Sequence, residues 1–281
     1  MTAKAKASTD RDATVAARTE VARRFVEARL AARSLPGYPG AVPGTLAEGY
    51  AIQELAIGLY PDTIVGWKVG RIPPPLQATL GDERLAGPTF RQFLRTPATG
   101  EAVALGVIPG GFAAVEAEFV YRIGKDAPEG KTDWTAAEAL DLVAALHIGV
   151  EFAGSPLKTI NDLGSTVVAS DFGNNAALIV GPEIAGWRQR ADETLPCETW
   201  IDGALVGVGT AASVPGGPAP ALAFLVGHCA ARGRPLKAGL YVTTGAATGI
   251  HEIKAGQSAR ISFGEHGEIF CTAEDARPAA G

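Results

Sequence analysis

The hydrophobic and polar positions along the chain predict a mostly β protein with helices at its start. From Thr14 to about Arg33 an apolar stripe recurs through Val15, Val21, Phe25, Ala28 and Leu30, which predicts a helix. Thr45, with Glu48 three residues on, predicts the capped start of a second helix through about Leu59. Thr63–Gly70, 103–108 and 112–123 read as strands, and Thr135 to about Leu146 reads as a helix feeding a strand over Ile148–Phe152. Ile72-Pro73-Pro74-Pro75 predicts an extended turn, and 155–175 a long loop rich in polar side chains. Short strands at Ala177–Val180, Glu198–Ile201 and Ala204–Val208 follow, the last two joined by an Asp202-Gly203 turn. A helix from Pro218 to about Arg232 precedes the strands Tyr241–Gly245, Ser258–Phe263 and Glu268–Thr272. The simplest organisation is a small polar, disordered tail over 1–13 and one domain over 14–281, whose part 14–60 is helical.

Within this pattern, Phe112–Ile123 alternates apolar and polar residues, as a strand with one buried face does. Glu116 and Glu118 then project from the same side, their Cβ atoms ~7 Å apart. A wet face bearing Glu-x-Glu is the ordinary explanation. Glu151 changes the balance, because it interrupts the apolar run from Ile148 to Ala153, where a lone carboxylate is costly unless paired or metal-bound. Three carboxylates suit Mg²⁺ or Mn²⁺ far better than Zn²⁺. Lys68 is the only charge in Thr63–Gly70; on pattern alone it reads as a snorkelling surface lysine.

Composition narrows the class. The chain has 281 residues, enough for a large core, and a net charge of −5, which argues against a general nucleic-acid or anionic-membrane binder. Three scattered cysteines without metal-ligand spacing suit a reduced cytoplasmic protein. No apolar run is long enough to cross a membrane, and there is no Walker loop, no Gly-x-Gly-x-x-Gly after a strand and no Gly-x-Ser-x-Gly elbow. His147, His228, His251 and His266 stand isolated and read as structural or surface residues.

Six segments occur in an order that resembles the 2-keto-4-pentenoate hydratases of the fumarylacetoacetate hydrolase superfamily. They are Gly66-Trp67-Lys68-Val69-Gly70, Val115-Glu116-Ala117-Glu118, Val150-Glu151-Phe152-Ala153-Gly154-Ser155, Val168-Ala169-Ser170-Asp171, Leu236-Lys237-Ala238-Gly239 and Thr243-Thr244-Gly245-Ala246. The resemblance spans about residues 15–275. It implies an α+β, predominantly β fold, a mixed β-sandwich or roll with N-terminal helices, and a Mg²⁺ or Mn²⁺ site on Glu116, Glu118 and Glu151. It also implies catalytic roles for Lys68 and Asp171, substrate contacts from Gln77, Thr244 and Gly245, and a homo-oligomer. The substrate implied is a small 2-oxo acid or its 2-hydroxydienoate, hydrated with help from a lysine whose pKa a cation lowers.

The sequence departs from the hydratase pattern where substrate would lie. Arg71-Ile72-Pro73-Pro74-Pro75 replaces Leu-Thr after Gly70; Leu85 stands where hydratases tend to carry an acidic residue; and Phe172-Gly173-Asn174 replaces Asn-Ala-Ser, removing a hydroxyl. Arg71 is a candidate for binding a second carboxylate, which would favour a 2-oxo diacid and its decarboxylation, as in 4-oxalocrotonate decarboxylase. Carbon–carbon bond hydrolysis fits less well, since that chemistry resembles a histidine-activated water ahead of the metal carboxylates and no histidine precedes His147. A non-catalytic binder is the alternative from outside enzymology, and retention of the three carboxylates and Lys68 argues against it.

Overall fold

The computed structural model describes residues 3–279, with side chains from residue 12 onward. In chain order the elements begin with α1 (Ala3–Leu30), α2 (Leu46–Leu59), β1 (Ile64–Arg71), α3 (Pro74–Leu80), β2 (Arg84–Phe90), β3 (Leu94–Arg95) and β4 (Ala102–Val107). The middle of the chain forms β5 (Phe112–Ile123), α4 (Ala136–Leu140), β6 (Val143–Ser155), α5 (Ser165–Ser170), β7 (Asn175–Glu183), β8 (Pro196–Ile201) and β9 (Ala204–Thr210). The C-terminal part forms α6 (Pro218–Ala231), β10 (Tyr241–Thr243), β11 (His251–Glu252), β12 (Ser258–Ser262) and β13 (Glu268–Asp275).

Two mixed sheets make the body. The larger has the order β2-β1-β10-β5-β6-β7-β3, with β11 also paired to β5; the smaller has the order β4-β13-β12-β8-β9. The long antiparallel ladder of β5 and β6, from Phe112 opposite Ser155 to Ile123 opposite Val143, is the spine of the larger sheet. The sheets meet across rings such as Phe119 on β5 and Phe263 after β12, edge to face with centroids 5.5 Å apart. This is the α+β, predominantly β architecture that the sequence implied.

Several expectations are corrected. The stripe from Thr14 extends backward: α1 begins at Ala3, so Thr14 lies inside a helix, in keeping with the helix propensity of Ala and Lys. Residues 1 and 2 of the expected tail lie outside the described residues. The helix at Thr135 has the expected reciprocal capping box with Glu138 but stops at Leu140, because β6 starts at Val143 to pair with β5. The Pro73–Pro75 stretch starts α3 instead of staying extended, a place where proline's fixed φ and missing N–H cost nothing. The stretch 155–175 contains α5. Thr45 caps α2 by accepting from the Glu48 amide, while the Glu48 carboxylate accepts from Gly44 N at 2.8 Å.

The N-terminal helices are built into the body. Phe25 and Ile52 share one apolar core with Phe152 and Phe119. Gln53 of α2 is buried and donates to the carbonyls of Ala86 and Ala169 at 2.9 and 2.7 Å, joining α2 to β2 and α5. Arg29 of α1 reaches further, to the segment that positions the candidate site.

Candidate metal centre and substrate cavity

Glu116 and Glu118 share one side of β5, and Glu151 on β6 is the direct cross-strand partner of Glu116. One carboxylate oxygen from each lies within 4.8 Å of the others. All three side chains are buried, and Glu118 and Glu151 are wholly shut off from solvent. The wet-face reading of β5 is thereby overturned: only Arg122 of its twelve residues is exposed, because a central strand is covered on both faces.

Each carboxylate is oriented by a different part of the chain. Glu118 Oε2 accepts from the backbone N–H groups of Thr244 and Gly245, both at 2.7 Å, and Thr244 Oγ1 donates to Phe119 O at 2.9 Å. Gly245 has φ of 118°, a conformation that only glycine adopts readily, so the Thr-Gly turn is a backbone cradle for Glu118. Glu151 Oε1 accepts from Asn175 Nδ2 at 3.1 Å and lies 3.3 Å from Lys68 Nζ. The opposite oxygens, Glu118 Oε1 and Glu151 Oε2, are buried without any hydrogen-bond partner.

Lys68 is buried at 5% exposure, so it does not snorkel. It reaches the carboxylates from β1, through Gly66-Trp67-Lys68 alongside β10. Burial pushes its ammonium down, but Glu151, Glu116 and Glu118 outweigh burial and hold it above its ordinary value. The lowered value expected of a lysine beside a cation is therefore not what the carboxylates themselves produce. Burial, with the charge of Glu151, pushes Glu116 up to about 8 against the pull of Lys68. Burial and the same neighbouring carboxylates push Glu118 well above the ordinary carboxylate range.

These observations fit a hard divalent cation. If all ionise, three carboxylates against one ammonium leave two uncompensated negative charges in a dry site. Two buried acceptor oxygens without donors are what metal ligation would satisfy. A consequence is measurable on metal-free protein. Between the ordinary carboxylate value of 4.5 and about 8, folded Glu116 holds a proton that the unfolded chain has released. Folding stability therefore falls as pH rises through that window. Lys68 adds no slope there, since its ordinary value is 10.5 and its shift is upward. Added Mn²⁺ is expected to raise the thermal midpoint more at pH 8 than at pH 6, as read by differential scanning fluorimetry. An equal rise at both pH values would contradict the protonated Glu116.

Glu116 and Lys68 open onto a cavity of about 660 Å³ whose wall also includes Gln77, Asn174, Thr244 and Gly245. Arg71 and Leu76 are both part of the wall and exposed, so the cavity communicates with solvent. Gln77, half-buried on α3, donates to Ile72 O at 2.8 Å. The Arg71 side chain has no hydrogen-bond or ion-pair partner among the described residues. Its cross-strand neighbour is Arg84, which donates to Pro215 O at 2.6 Å and lies 3.5 Å from Glu83.

One expected site residue is elsewhere. Asp171 is not on the cavity wall; its carboxylate is clamped by Arg29, with Nε to Oδ1 at 2.6 Å and Nη2 to Oδ2 at 3.0 Å, and accepts from Ser155 Oγ at 2.6 Å. Arg29 also donates to Asn175 O and Gly154 O, so the cluster fixes the start of β7, where Asn175 meets Glu151. Asn175, Arg84, Arg29 and Ser155 were not singled out in the sequence. Asn175 opens the apolar run Ala176–Val180, which was its one available signal.

Fold and site together define an α+β protein with a buried three-carboxylate centre and a lysine at the base of a solvent-connected cavity. No family model matches the chain. It is 27% identical over 257 residues to a 4-oxalocrotonate decarboxylase from Pseudomonas sp, a match that covers 89% of this chain and 96% of the relative. It is also 27% identical over 242 residues to a 2-keto-4-pentenoate hydratase from Burkholderia vietnamiensis strain G4, covering 84% and 89%. Among solved structures, the 4-oxalocrotonate decarboxylase from Pseudomonas putida G7 complexed with magnesium and adipate superposes with a TM-score of 0.76 at 20% identity, over 94% of this chain and 98% of that one. Fumarylpyruvate hydrolase from Pseudomonas aeruginosa, in complex with Mn²⁺ and pyruvate, gives 0.54 at 16% identity, over 74% and 88%. These likenesses bear out the resemblance read from the motifs: the chain has the fold of the fumarylacetoacetate hydrolase superfamily and is similar along most of its length to its hydratase and decarboxylase members.

Proposed function

We propose that the protein is a divalent-metal-dependent lyase, a hydratase that adds water to a 2-hydroxydienoate or the corresponding 2-oxo acid, such as 2-keto-4-pentenoate. The observation that carries this reading is the trio Glu116, Glu118 and Glu151, with two unpartnered buried oxygens and Lys68 beside them on the cavity wall. The sequence likeness to a hydratase and a decarboxylase supports it. A divalent cation held by the three carboxylates would supply Lewis-acid polarisation of the acid's carbonyl. Mg²⁺ and Mn²⁺ are the candidates, as hard ions that take oxygen ligands.

The chain's own residues account for the remaining steps. Thr244 and Gly245 N–H groups hold Glu118, and Asn175 holds Glu151, so the ligand set is preorganised. Lys68 Nζ is the cation on the inner wall, placed to bind the substrate carboxylate and to move a proton during ketonisation. Ketonisation places a carbon–carbon double bond in conjugation with the 2-oxo group. Water from the open mouth then adds across it, hydroxyl at the far carbon and proton at the near one. The test is incubation of Mn²⁺-loaded protein with 2-hydroxypenta-2,4-dienoate, following loss of the dienol chromophore and formation of 4-hydroxy-2-oxopentanoate. No turnover of that acid or of any 2-oxo diacid would end the proposal.

A second reading, decarboxylation of a 2-oxo diacid such as 4-oxalocrotonate, is favoured by one feature. Arg71 and Arg84 face each other across β1 and β2 and both line the cavity. Like charges directly opposite are unfavourable in a sheet, and a distal carboxylate would relieve them. Assay of CO₂ release against water addition separates the two readings. Arg71→Gln is expected to raise KM for a 2-oxo diacid about tenfold, the cost of one charge-assisted hydrogen bond. The five-carbon monoacid should be nearly unaffected, and equal effects on both acids would remove Arg71 from the distal subsite.

A further inference from the structure

A second cavity lies across β6 from the carboxylate centre. It measures about 270 Å³ and shares no wall residue with the substrate cavity. Successive residues of a strand project to opposite faces. Glu151 of β6 belongs to the carboxylate centre, and Phe152, paired with Ala177 of β7, lines the second cavity. The other walls come from distant parts of the chain: the end of α1, the segment 92–95, β4 and the stretch 276–279 after β13. That last stretch is held by Ala276 N donating to Val107 O and Ala279 N to Leu30 O, both at 2.8 Å.

The wall divides by chemistry. Its buried part is aromatic: Tyr60, Phe112 and Phe152 are at most 8% exposed, and Phe93 packs against the same core. Its exposed part is charged, with Arg95 and Arg277 against Glu274. Arg29 also lines the cavity, but Asp171 already offsets its charge. Two arginines against one glutamate leave the rim with one positive charge in excess. The Arg277 side chain has no hydrogen-bond or ion-pair partner among the described residues. Arg95 uses only Nη1, on the carbonyls of Gln92 and Leu94.

A water-filled crevice under a lightly held stretch of chain is the ordinary account of such a space. It explains the opening but not the lining, since a cavity retains water where polar groups can bind it, and three buried rings offer little of that. Protein interiors are packed as densely as organic crystals, so rings left facing a space are surface that a ligand could cover. The lining matches a flat apolar body that ends in a negative charge. Aromatic rings gain from contact with one another beyond the area they bury, and guanidinium groups pair with carboxylates through two parallel hydrogen bonds. The volume is small for a drug-sized molecule, and a single ring suits it.

We propose that this second cavity is a binding site for a small aromatic carboxylate, its ring among Tyr60, Phe112 and Phe152 and its charge at Arg95 and Arg277. The probe is benzoate, titrated calorimetrically into the full-length chain in the presence of Mn²⁺, with benzamide as its uncharged counterpart. The wild type is expected to bind benzoate with a Kd on the order of 1 mM or below, in keeping with so small a ligand. Benzamide should bind about tenfold more weakly, for want of the charge-assisted pairs. Arg95→Gln with Arg277→Gln changes two exposed side chains, so Mn²⁺ affinity and the thermal midpoint should be unchanged. Benzoate should then bind about tenfold more weakly than to the wild type, close to benzamide. A carboxylate can also ligate a metal ion, and Glu151→Gln separates the two sites: benzoate binding at the second cavity should survive that change.

No binding of benzoate by the wild type, equal affinity for benzoate and benzamide, undiminished binding in the double arginine variant, or loss of binding in Glu151→Gln would each overturn the proposal. Turnover of a 2-oxo acid, or its lack, bears on the proposed function alone, because the two cavities have no residue in common.

Discussion

Glu151→Gln is expected to abolish divalent-metal binding and to reduce turnover of a 2-oxo acid on the order of a thousandfold or more. The change keeps shape and removes one charge from a site where every charge is buried. The Glu151 oxygen that meets Asn175 and Lys68 has a counterpart in the amide, so the fold should survive. The other oxygen, buried and unpartnered, is the one whose ligand strength is lost. Metal polarisation of a carbonyl is worth several kcal/mol, and each 1.4 kcal/mol is tenfold in rate, which sets the expected size. The measurements are Mn²⁺ titration by calorimetry and kcat/KM, with the thermal midpoint of the metal-free variant as control. That midpoint separates loss of a metal ligand from loss of fold, because Lys68 loses its Glu151 partner and only Glu116, on ionising, can take its place. Wild-type Mn²⁺ affinity in Glu151→Gln would show that the three carboxylates do not act as one centre.

The acidic trio was legible because its chemistry conflicts with its surroundings. Glu116 and Glu118 occupy alternate positions of a strand, and Glu151 breaks an apolar run; both are local facts. That Glu116 faces Glu151 directly was not local. It depends on β6 starting at Val143, a stretch whose alanines and leucines read as helix until β5 supplies a partner. The strand β2 was illegible because it contains Gly87 and Pro88. It lies at the edge of the sheet, where proline forfeits no ladder bond, and glycine is required there by the Phe172 carbonyl. Without β2, nothing placed Arg84 opposite Arg71. The partner of Asp171 was illegible for a similar reason: a motif in chain order gives proximity along the chain, whereas Arg29 is 142 residues away.

That partnership has a large effect on stability. Arg29 and Asp171 are 8% and 0% exposed at their side chains, and removing one partner leaves the other as an uncompensated buried charge. Arg29→Ala is expected to cost about 3–5 kcal/mol, a fall in thermal midpoint on the order of 10 °C for a chain of this size. Asp171→Asn should be destabilising too, since it weakens the clamp while leaving the arginine charge buried. Replacing both with apolar residues, Arg29→Met with Asp171→Leu, should cost less than the two single losses summed, because no charge is then stranded. The turnover that remains in each variant should follow the population that still holds Asn174 and Asn175 in place, so activity and stability should decline together as temperature rises. Asp171→Asn with an unchanged midpoint and no turnover would reverse the assignment: Asp171 would then act in the chemistry, and the clamp with Arg29 would be incidental to it.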